Sequence, residues 1–322
     1  MPLDLAAALA REIDPSATKI LPFDGFVFIC GGPLPPEQPA NTVASVRQFA
    51  VRKANSNGDR IAGRRLIIAE RATALMQRGQ FDDLLEFEVH LGALSSCVLI
   101  FLESPGAIAE LGSFSVMHAL RDKVFVVSEQ IYSAQGESFI ELGPLATLRN
   151  RNKQSVCVYP MHMPAQPAPI PNNDLIDECW DEIESAIERF SKRAVKESDF
   201  QHADVAHQLL LIAEFVGLFQ ALRTGELAEC LRAVGCTVGK REVERSVKLL
   251  EKFGILESRQ WGHEIFYVPK ETAEYARFRR PQGAIGPFDR LRFRMDRLAE
   301  YESGDERKHK ALKALRKIQT SS

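Results

Sequence analysis

The sequence predicts an α/β protein in which a doubly wound parallel sheet precedes a smaller α+β winged-helix domain. Short, continuously apolar runs alternate with segments of helical periodicity between residues 26 and 159. This pattern is typical of parallel strands that helices cover on both faces. Three helical segments and a hairpin follow over 198–270, which is the element order of the winged variant of helix-turn-helix.

The first domain contains five strand candidates separated by helical or turn segments. Strands are expected over 26–30, 65–69, 97–102, 124–127 and 155–159, and helices over 42–54, 81–95 and 107–121. Five prolines within 160–171 indicate an extended connector, and the amphipathic segment 173–195 is expected to pack as a helix on the same domain. We therefore predict a first domain over 1–197, a winged-helix domain over 198–270 and a basic tail over 271–322.

Charge is distributed unevenly, although the net charge of the 322 residues is only −2. From Arg277 to the end, nine Arg and four Lys stand against six acidic residues. Such a segment suits contact with phosphate or with an acidic partner, and a solvated chain end fits equally well. Six scattered cysteines show neither zinc-ligand spacing nor a disulfide pattern.

The start of the chain lacks the basic end and long apolar stretch of an export signal. No apolar run approaches the roughly 18 residues that a membrane-spanning helix needs. We therefore expect a cytoplasmic protein with no membrane association.

The most informative segment for chemistry is LIFLESPGAIAELGSF, residues 99–114, where a strand ends, a Ser-Pro-Gly turn follows and a helix begins. Ligands of doubly wound folds bind beyond the carboxyl ends of the strands. Glu110 would lie in the first helical turn or just after it, where the helix field is expected to keep its carboxylate ionised, as a nucleophile requires. An isolated helical glutamate is usually a solvated surface residue, but this setting favours a catalytic one.

Cleavage of an N-glycosidic bond needs one carboxylate at the sugar carbon and a second group that manages a proton. Glu88, on the preceding helix, is the candidate for the second group. An acidic residue in the middle of an amphipathic helix often lies only on the solvated face, which is the alternative for Glu88. Glu70 and Glu103 each follow a strand and would reach the same edge; Glu103 alternatively caps the next helix. This chemistry needs no cofactor and no metal ion.

Glycines at the same edge would let a ligand come close to the backbone. Gly31 and Gly32 follow the first strand and would bring N–H groups to a phosphate or a base, and Gly106 leaves room for a sugar. The pattern is neither G-x-G-x-x-G nor a Walker motif.

The third helix of the second domain carries a basic face. Arg241, Arg245 and Lys248 are spaced i, i+4 and i+7, while apolar residues occupy another face. This spacing predicts contact with nucleic acid phosphates. Three glutamates on the same helix favour the alternative of a neutralised surface, and many winged helices bind protein instead.

ESPGAIAELGSF resembles the nucleotide-binding motif of the nucleoside 2-deoxyribosyltransferase-like superfamily. In that motif, a glutamate six residues after an acidic turn residue is the nucleophile. Glu110 matches this nucleophile, and Glu88 matches an upstream active-site carboxylate. Ser104 stands where the acidic turn residue is expected, with Glu103 beside it, and the resemblance implies that these two residues hold the ribose.

A wider set of motifs resembles retron-encoded effector proteins. These motifs are FICGG (28–32), the acid at Glu70, Leu84–Glu88, LIFLESPGAIAELGSFS (99–115) and SFIELGPLATLRN (138–150). In that family a deoxyribosyltransferase-like domain precedes a winged helix-turn-helix domain. The resemblance implies a phage-defence toxin that a reverse transcriptase and a branched RNA–DNA molecule hold inactive.

Two hypotheses follow for the function. In the first, the chain hydrolyses the N-glycosidic bond of a nucleotide such as NAD or a purine nucleotide. In the second, it is a winged-helix transcription regulator whose first domain senses a nucleotide without catalysis. A third interpretation, a structural scaffold, would need the carboxylates to lie far apart or point outward. Hydrolysis or transfer as the reaction, ribose or deoxyribose as the sugar, and assembly as a homo-oligomer or a larger complex are left open.

Overall fold

The computed structural model describes residues 4–35, 42–72, 81–130, 138–165, 169–192, 197–304, 308–310, 312 and 313. Contacts divide the chain into two compact units. The sheet unit comprises residues 23–73 and 83–195, and the hairpin unit comprises residues 1–22, 74–82 and 196–322.

The strands are β1 (Asp14–Ile20), β2 (Phe26–Cys30), β3 (Arg60–Ile61), β4 (Arg64–Ile68), β5 (Ser95–Leu102), β6 (Val124–Glu129), β7 (Val156–Tyr159), β8 (His162–Met163), β9 (Ile170–Pro171), β10 (Ser198–Asp199), β11 (Leu256–Trp261), β12 (Glu264–Pro269) and β13 (Ala276–Arg279). The helices are α1 (Leu5–Glu12), α2 (Val46–Ser56), α3 (Leu84–Ala93), α4 (Pro105–Phe114), α5 (Ala146–Arg151), α6 (Asn173–Ser191), α7 (Val205–Phe219), α8 (Thr224–Ala233), α9 (Lys240–Lys252) and α10 (Arg290–Gly304). A π-helical turn, Glu141–Leu145, precedes α5.

The sheet unit contains a mixed sheet whose strands follow the order β3-β4-β2-β5-β6-β7. The pairs from β4 to β7 are parallel, and the short edge strand β3 is antiparallel to β4. The predicted α/β class with a parallel sheet is confirmed. Its strands were recognisable because they are buried and therefore continuously apolar.

Helices lie on both faces of this sheet. Val27 and Ile29 of β2 share one apolar cluster with residues of α2 and α6. Because side chains alternate along a strand, Phe28 and Cys30 lie on the opposite face. On that face a methyl group on Gly92 of α3 would lie 3.3 Å from Val98 of β5. Two helical layers therefore cover the strands, which explains why the middle of β2, β5 and β6 is apolar.

Helix α4 begins two residues earlier than predicted and ends at Phe114 instead of near 121. Ser104 is its N-cap, since the Ser104 hydroxyl accepts the N–H of Ala107 at 3.1 Å. Pro105 occupies the first helical position, where its fixed φ suits a helix and its missing N–H costs nothing. Glu110 is therefore the sixth residue of the helix.

The hairpin unit differs from the predicted domain boundaries at both ends. Strand β1, near the start of the chain, pairs antiparallel with both β10 and β13, which draws residues 4–22 into this unit. The predicted tail contains β13 and α10. Tyr301 of α10 donates its hydroxyl hydrogen to the carbonyl of Phe219, which ties this helix to α7.

Helix α7 is apolar on all sides and forms the centre of the hairpin unit. Its Glu214 is fully buried, where it pairs with Arg290 and accepts the N–H of Tyr275 at 2.8 Å. Phe215 stacks on Phe278 at a centroid distance of 6.2 Å. Part of the basic C-terminal segment, for which contact with a partner and a solvated chain end fitted equally well, thus packs within the chain.

Candidate functional site

Three adjacent parallel strands bring the predicted site residues to one edge of the sheet unit. Cys30 ends β2, Glu103 follows β5 directly, and Glu70 lies in the turn after β4. The order β4-β2-β5 makes these carboxyl ends neighbours. This is the edge at which open α/β sheets bind ligands.

Glu103 links the loop after β2 to the beginning of α2. Its Oε1 accepts the N–H groups of Gly32 at 3.0 Å and Arg47 at 2.9 Å, and its Oε2 accepts that of Val46 at 2.6 Å. The side chain is buried. Of the two sequence interpretations, a capping role is therefore present, but on α2 instead of the following helix. Substrate binding by Glu103 stays a prediction.

The two glycines after β2 are required by close packing. A methyl group on Gly32 would lie 2.5 Å from the Cβ of Ser45 and 3.0 Å from Oε1 of Glu103. The carbonyl of Gly31 accepts the hydroxyl of Ser104 at 3.0 Å. The N–H of Gly32 already donates to Glu103, so this loop holds α2 and α4 together whether or not it also contacts a ligand.

Arg47 is a buried cation at the site that the sequence interpretation missed. Its guanidinium donates to both oxygens of Glu70, at 2.8 and 2.7 Å, and Glu70 remains 55% exposed. A sequence signal existed, because Arg47 lies four residues after Val43 and three before Ala50, on the apolar stripe of the predicted helix. A charge on such a stripe indicates a buried group with a partner.

The two predicted catalytic carboxylates meet on the face of the sheet that carries α3 and α4. The buried Cys30 thiol lies near both carboxylates, since the charges of Glu110 and Glu88 each raise the pKa of Cys30. Oε2 of Glu110 is buried and has no hydrogen-bond partner among the residues that the structure describes. The sheet, α3 and α4 thus bring Glu88, Glu110 and a buried thiol together.

The two carboxylates differ in their protonation. Burial, followed by the charges of Glu110 and Glu70, raises the pKa of Glu88 to about 7. Burial also raises the pKa of Glu110, but the Arg47 guanidinium and the Cys30 thiol lower it. Because the charge of Glu110 raises the pKa of Glu88, Glu110 ionises first, and Glu88 is about half protonated at neutral pH. Two carboxyls whose pKa values differ in this way are what acid–base chemistry requires, since one is then ionised while the other still carries a proton.

The cation that favours the ionised form of Glu110 is Arg47 and not the helix field. The effect of a helix dipole falls off within the first turn, and Glu110 is the sixth residue of α4. The expectation that the helix keeps this carboxylate ionised was therefore wrong in its cause. Gly106, at the exposed start of the helix, leaves space, since a methyl group there would be 3.8 Å from the nearest atom, Oγ of Ser104.

A cavity of about 300 Å³ opens beside the Glu103–Ser104 turn, above the ends of β5 and β6. Its lining mixes apolar and polar side chains: Leu102, Glu103, Ser104, Pro105, Ile108, Ser128, Ser138, Ile140, Glu141 and Leu145. Two residues predicted to bind the substrate, Glu103 and Ser104, thus border a cavity large enough for a small ligand.

A buried histidine supports the site from the opposite face of the sheet. Nδ1 of His162 lies 2.7 Å from Oε2 of Glu129, and its Nε2 lies 4.0 Å from Oε2 of Glu103. Glu129 also accepts the N–H of Met161 at 2.8 Å. Within the described parts of the chain, no group of three or more His, Cys, Asp or Glu residues has the arrangement of a metal site.

The basic face of α9 makes contacts within the hairpin unit. Arg241 forms an ion pair with Asp82 at 2.7 Å, and the guanidinium of Arg245 lies 5.7 Å from the ring centroid of Phe81. Lys248 pairs with Glu251 at 3.0 Å. These contacts agree with the alternative of a neutralised surface, while nucleic-acid binding by this face stays a prediction. None of the helices in the described ranges is both long and apolar enough to cross a membrane.

Comparisons with known proteins give two relatives, both from Escherichia coli. The protein named "Retron Ec73 putative ribosyltransferase/DNA-binding protein" is 26% identical over 236 residues, which cover 72% of this chain and 72% of that protein. The protein named "Retron Ec86 putative ribosyltransferase/DNA-binding protein" is 37% identical over 82 residues, which cover 26% of each chain.

A family model described as "STM3845 retron effector protein" matches residues 43–258. The matched range includes the loop contact at Arg47, both carboxylates, Glu88 and Glu110, and the basic helix α9. It spans more than half of the chain. The protein therefore belongs to the STM3845 retron effector protein family.

Proposed function

We propose that this effector is an anti-phage toxin that cleaves the N-glycosidic bond of a nucleotide, such as NAD or a purine nucleotide. One observation carries the proposal: a buried carboxylate oxygen of Glu110, which has no hydrogen-bond partner among the described residues, lies close to a second carboxyl, Glu88, whose pKa is about 7. The names of the two relatives, which include ribosyltransferase, support chemistry at a sugar carbon.

In the first step, the Glu110 carboxylate attacks the anomeric carbon of the sugar. In a purine nucleotide the bond from that carbon to the base nitrogen breaks, and the base leaves with the bonding electrons and takes the proton of Glu88. In NAD the same bond breaks, but nicotinamide becomes neutral by taking the bonding electrons and needs no proton, so the ionised form of Glu88 serves. Water then attacks the sugar–Glu110 ester, and the Glu88 carboxylate accepts a proton from that water. The products are the free base and a sugar phosphate from a purine nucleotide, or nicotinamide and ADP-ribose from NAD. Glu110 is again a carboxylate; Glu88 keeps the proton after the purine reaction and releases it to solvent after the NAD reaction.

The remaining residues of the edge hold this pair in place. Arg47 favours the ionised form of Glu110 and anchors Glu70, whose exposed carboxylate is available to a sugar hydroxyl. Ser104 and Glu103 would contact the ribose from the cavity side, and Gly31, Gly32 and Gly106 would let it approach the backbone. These roles follow the deoxyribosyltransferase-like arrangement that we propose for the sheet unit.

We further propose that α7, α8, α9 and the β11–β12 hairpin form a winged-helix module that binds retron nucleic acid. Membership in a retron effector family implies association with retron components. In this proposal a reverse transcriptase and a branched RNA–DNA molecule hold the toxin inactive. Arg241, Arg245 and Lys248 would exchange their present partners for phosphates, and binding would weaken steeply as salt rises.

Metabolite profiling tests the enzymatic proposal. The wild type and Glu110→Gln are induced in parallel, without the retron partners, and nucleotides and free bases are quantified. We expect one nucleotide to fall and its free base to appear in the wild type only, because Gln has nearly the same shape but cannot attack as a carboxylate. Glu88→Gln, made in the same way, should also lose activity, because Gln cannot donate or accept the proton. Glu86→Gln, on the same helix α3, is the matched control and should keep the activity.

Identical profiles for the wild type and Glu110→Gln in growth-arrested cultures would contradict the proposal. Retained arrest in Glu110→Gln, together with binding of the isolated protein to a duplex site, would instead support the transcription regulator that senses a nucleotide without catalysis. Circular dichroism of each variant shows whether it is folded.

A further inference from the structure

The cavity beside α4 carries a buried hydroxyl group that has no hydrogen-bond partner among the residues that the structure describes. Ser128, near the end of β6, is 1% exposed, and its Oγ makes no hydrogen bond to any described residue. A buried hydroxyl without a hydrogen bond destabilises the fold, because it has lost its bonds to water and gained none in return. Because Ser128 also lines the cavity, a ligand there would be able to satisfy it.

The other polar groups of the cavity define what such a ligand must offer. Ser138 Oγ accepts the N–H of Glu141 at 3.3 Å and keeps its own hydrogen free to donate. Glu141 uses Oε2 to accept from Arg149 at 2.6 Å, which fixes the carboxylate and leaves Oε1 as an acceptor. The cavity thus presents one carboxylate acceptor and the hydroxyls of Ser128 and Ser138.

The apolar walls define the shape of the ligand. Leu102, Pro105, Ile108, Ile140 and Leu145 line the same cavity. Apolar walls with a few fixed polar groups suit a flat heterocycle with a polar edge. A ligand with a phosphate is disfavoured here, because the charged side chains of the lining, Glu103 and Glu141, are both acidic.

The position of the cavity connects it to the catalytic carboxylates. Val27, Ile29, Phe125 and Val127 belong to the cluster on the α2 face, so Cys30 and Ser128 both lie on the α4 face. Their strands, β2 and β6, flank β5, which separates them by about 10 Å across the sheet. Ser104 borders both places, since it bonds Gly31 and lines the cavity.

From these observations we infer that the cavity is the base-binding subsite, and that it selects an aminopurine. The amino group of the base donates to Glu141, and the Ser128 and Ser138 hydroxyls donate to ring nitrogens. The volume of about 300 Å³ accommodates a two-ring base. This inference rests on the proposed function, because it assigns the base of the nucleotide whose glycosidic bond Glu110 attacks.

Equilibrium binding to the full-length Glu110→Gln protein tests the inference without turnover. Isothermal titration calorimetry compares adenosine with purine riboside, which differs only by lacking the amino group. We expect adenosine to bind about tenfold more tightly, because the lost hydrogen bond is made to a charged acceptor. Adding Glu141→Gln should remove most of this difference, and adding Ser128→Ala should weaken adenosine about fivefold.

Ser113→Ala in the same background is the matched control, because Ser113 lies on α4 but does not line the cavity. It should bind adenosine as Glu110→Gln does. The inference would be overturned if adenosine and purine riboside bound equally tightly, if neither bound, or if cytidine, titrated in the same way, bound more tightly than adenosine. It would also be overturned if the Ser128 and Glu141 substitutions left the affinities unchanged. Those results leave the metabolite comparison of wild type and Glu110→Gln unaffected, so the two proposals fail separately. Thermal unfolding by circular dichroism confirms that each variant is folded.

Discussion

The carboxyl of Glu88 should make the stability of the sheet unit depend on pH, and Glu88→Gln should remove that dependence. In the folded chain the pKa of Glu88 is about 7, against an ordinary value of 4.5, mainly because burial disfavours its charge. Below pH 4.5 the carboxyl is protonated in both states and costs nothing. Between pH 4.5 and 7 the unfolded state ionises while the folded state does not, so stability falls as pH rises.

The magnitude follows from the displacement of this pKa. At about 1.4 kcal/mol for each pH unit, the wild type should lose about 3 kcal/mol relative to Glu88→Gln between pH 4.5 and pH 8. Above pH 7 the loss levels off, because both states are then ionised. Gln is uncharged throughout, so it keeps the stability that the wild type has at low pH.

The assay is urea unfolding at steps of half a pH unit, followed by tryptophan fluorescence. Trp180 lies in the apolar cluster of the sheet unit, and Trp261→Phe leaves it as the single tryptophan. Parallel curves of unfolding free energy against pH for wild type and Glu88→Gln would refute the reasoning. Glu110→Gln adds an internal check, because removing that neighbouring charge should lower the pKa of Glu88, so that the decline ends at a lower pH and its total is smaller.

Three further changes probe the site and the basic helix. Arg47→Met should raise the pKa of Glu88 further, because the Arg47 charge lowers that pKa, and should move the alkaline fall of kcat/KM to higher pH. Arg47→Lys keeps a positive charge and should move this fall less. An unchanged pH profile of kcat/KM in both variants would contradict the effect of Arg47 on Glu88. Gly32→Ala should destabilise the sheet unit by about 1–3 kcal/mol in urea unfolding, since its methyl group would be 2.5 Å from a neighbouring carbon. Asp82→Asn should strengthen salt-dependent binding to a branched RNA–DNA probe, because Arg241 would no longer have to leave its ion pair with Asp82 to contact a phosphate. An exposed ion pair is worth at most about 1 kcal/mol, so the gain should not exceed about fivefold. An unaltered affinity would argue against a nucleic-acid role for Arg241.

Much of the sheet unit could be predicted from the sequence because its signals are local. The strand Phe26–Cys30 was predicted with the bounds that the structure has, since a buried parallel strand is continuously apolar. The Ser-Pro-Gly turn indicated the start of α4 within two residues, because Ser104 and Pro105 act through the first helical turn alone. The carboxylates Glu88 and Glu110 could be selected because the helices that carry them adjoin a strand end.

The contacts that decide the chemistry depend instead on residues that are distant in the sequence. Glu103 accepts N–H groups from residues 56 to 71 positions away, so its capping of α2 has no local signature. Arg47 meets Glu70 across 23 residues, and β1 pairs with β13 near the other end of the chain. The protonation of Glu88 was likewise unpredictable, because it results from burial and from two other carboxylates. Local periodicity determined the elements, whereas desolvation and charge, which exist only once those elements pack, decided what the carboxylates at their ends can do.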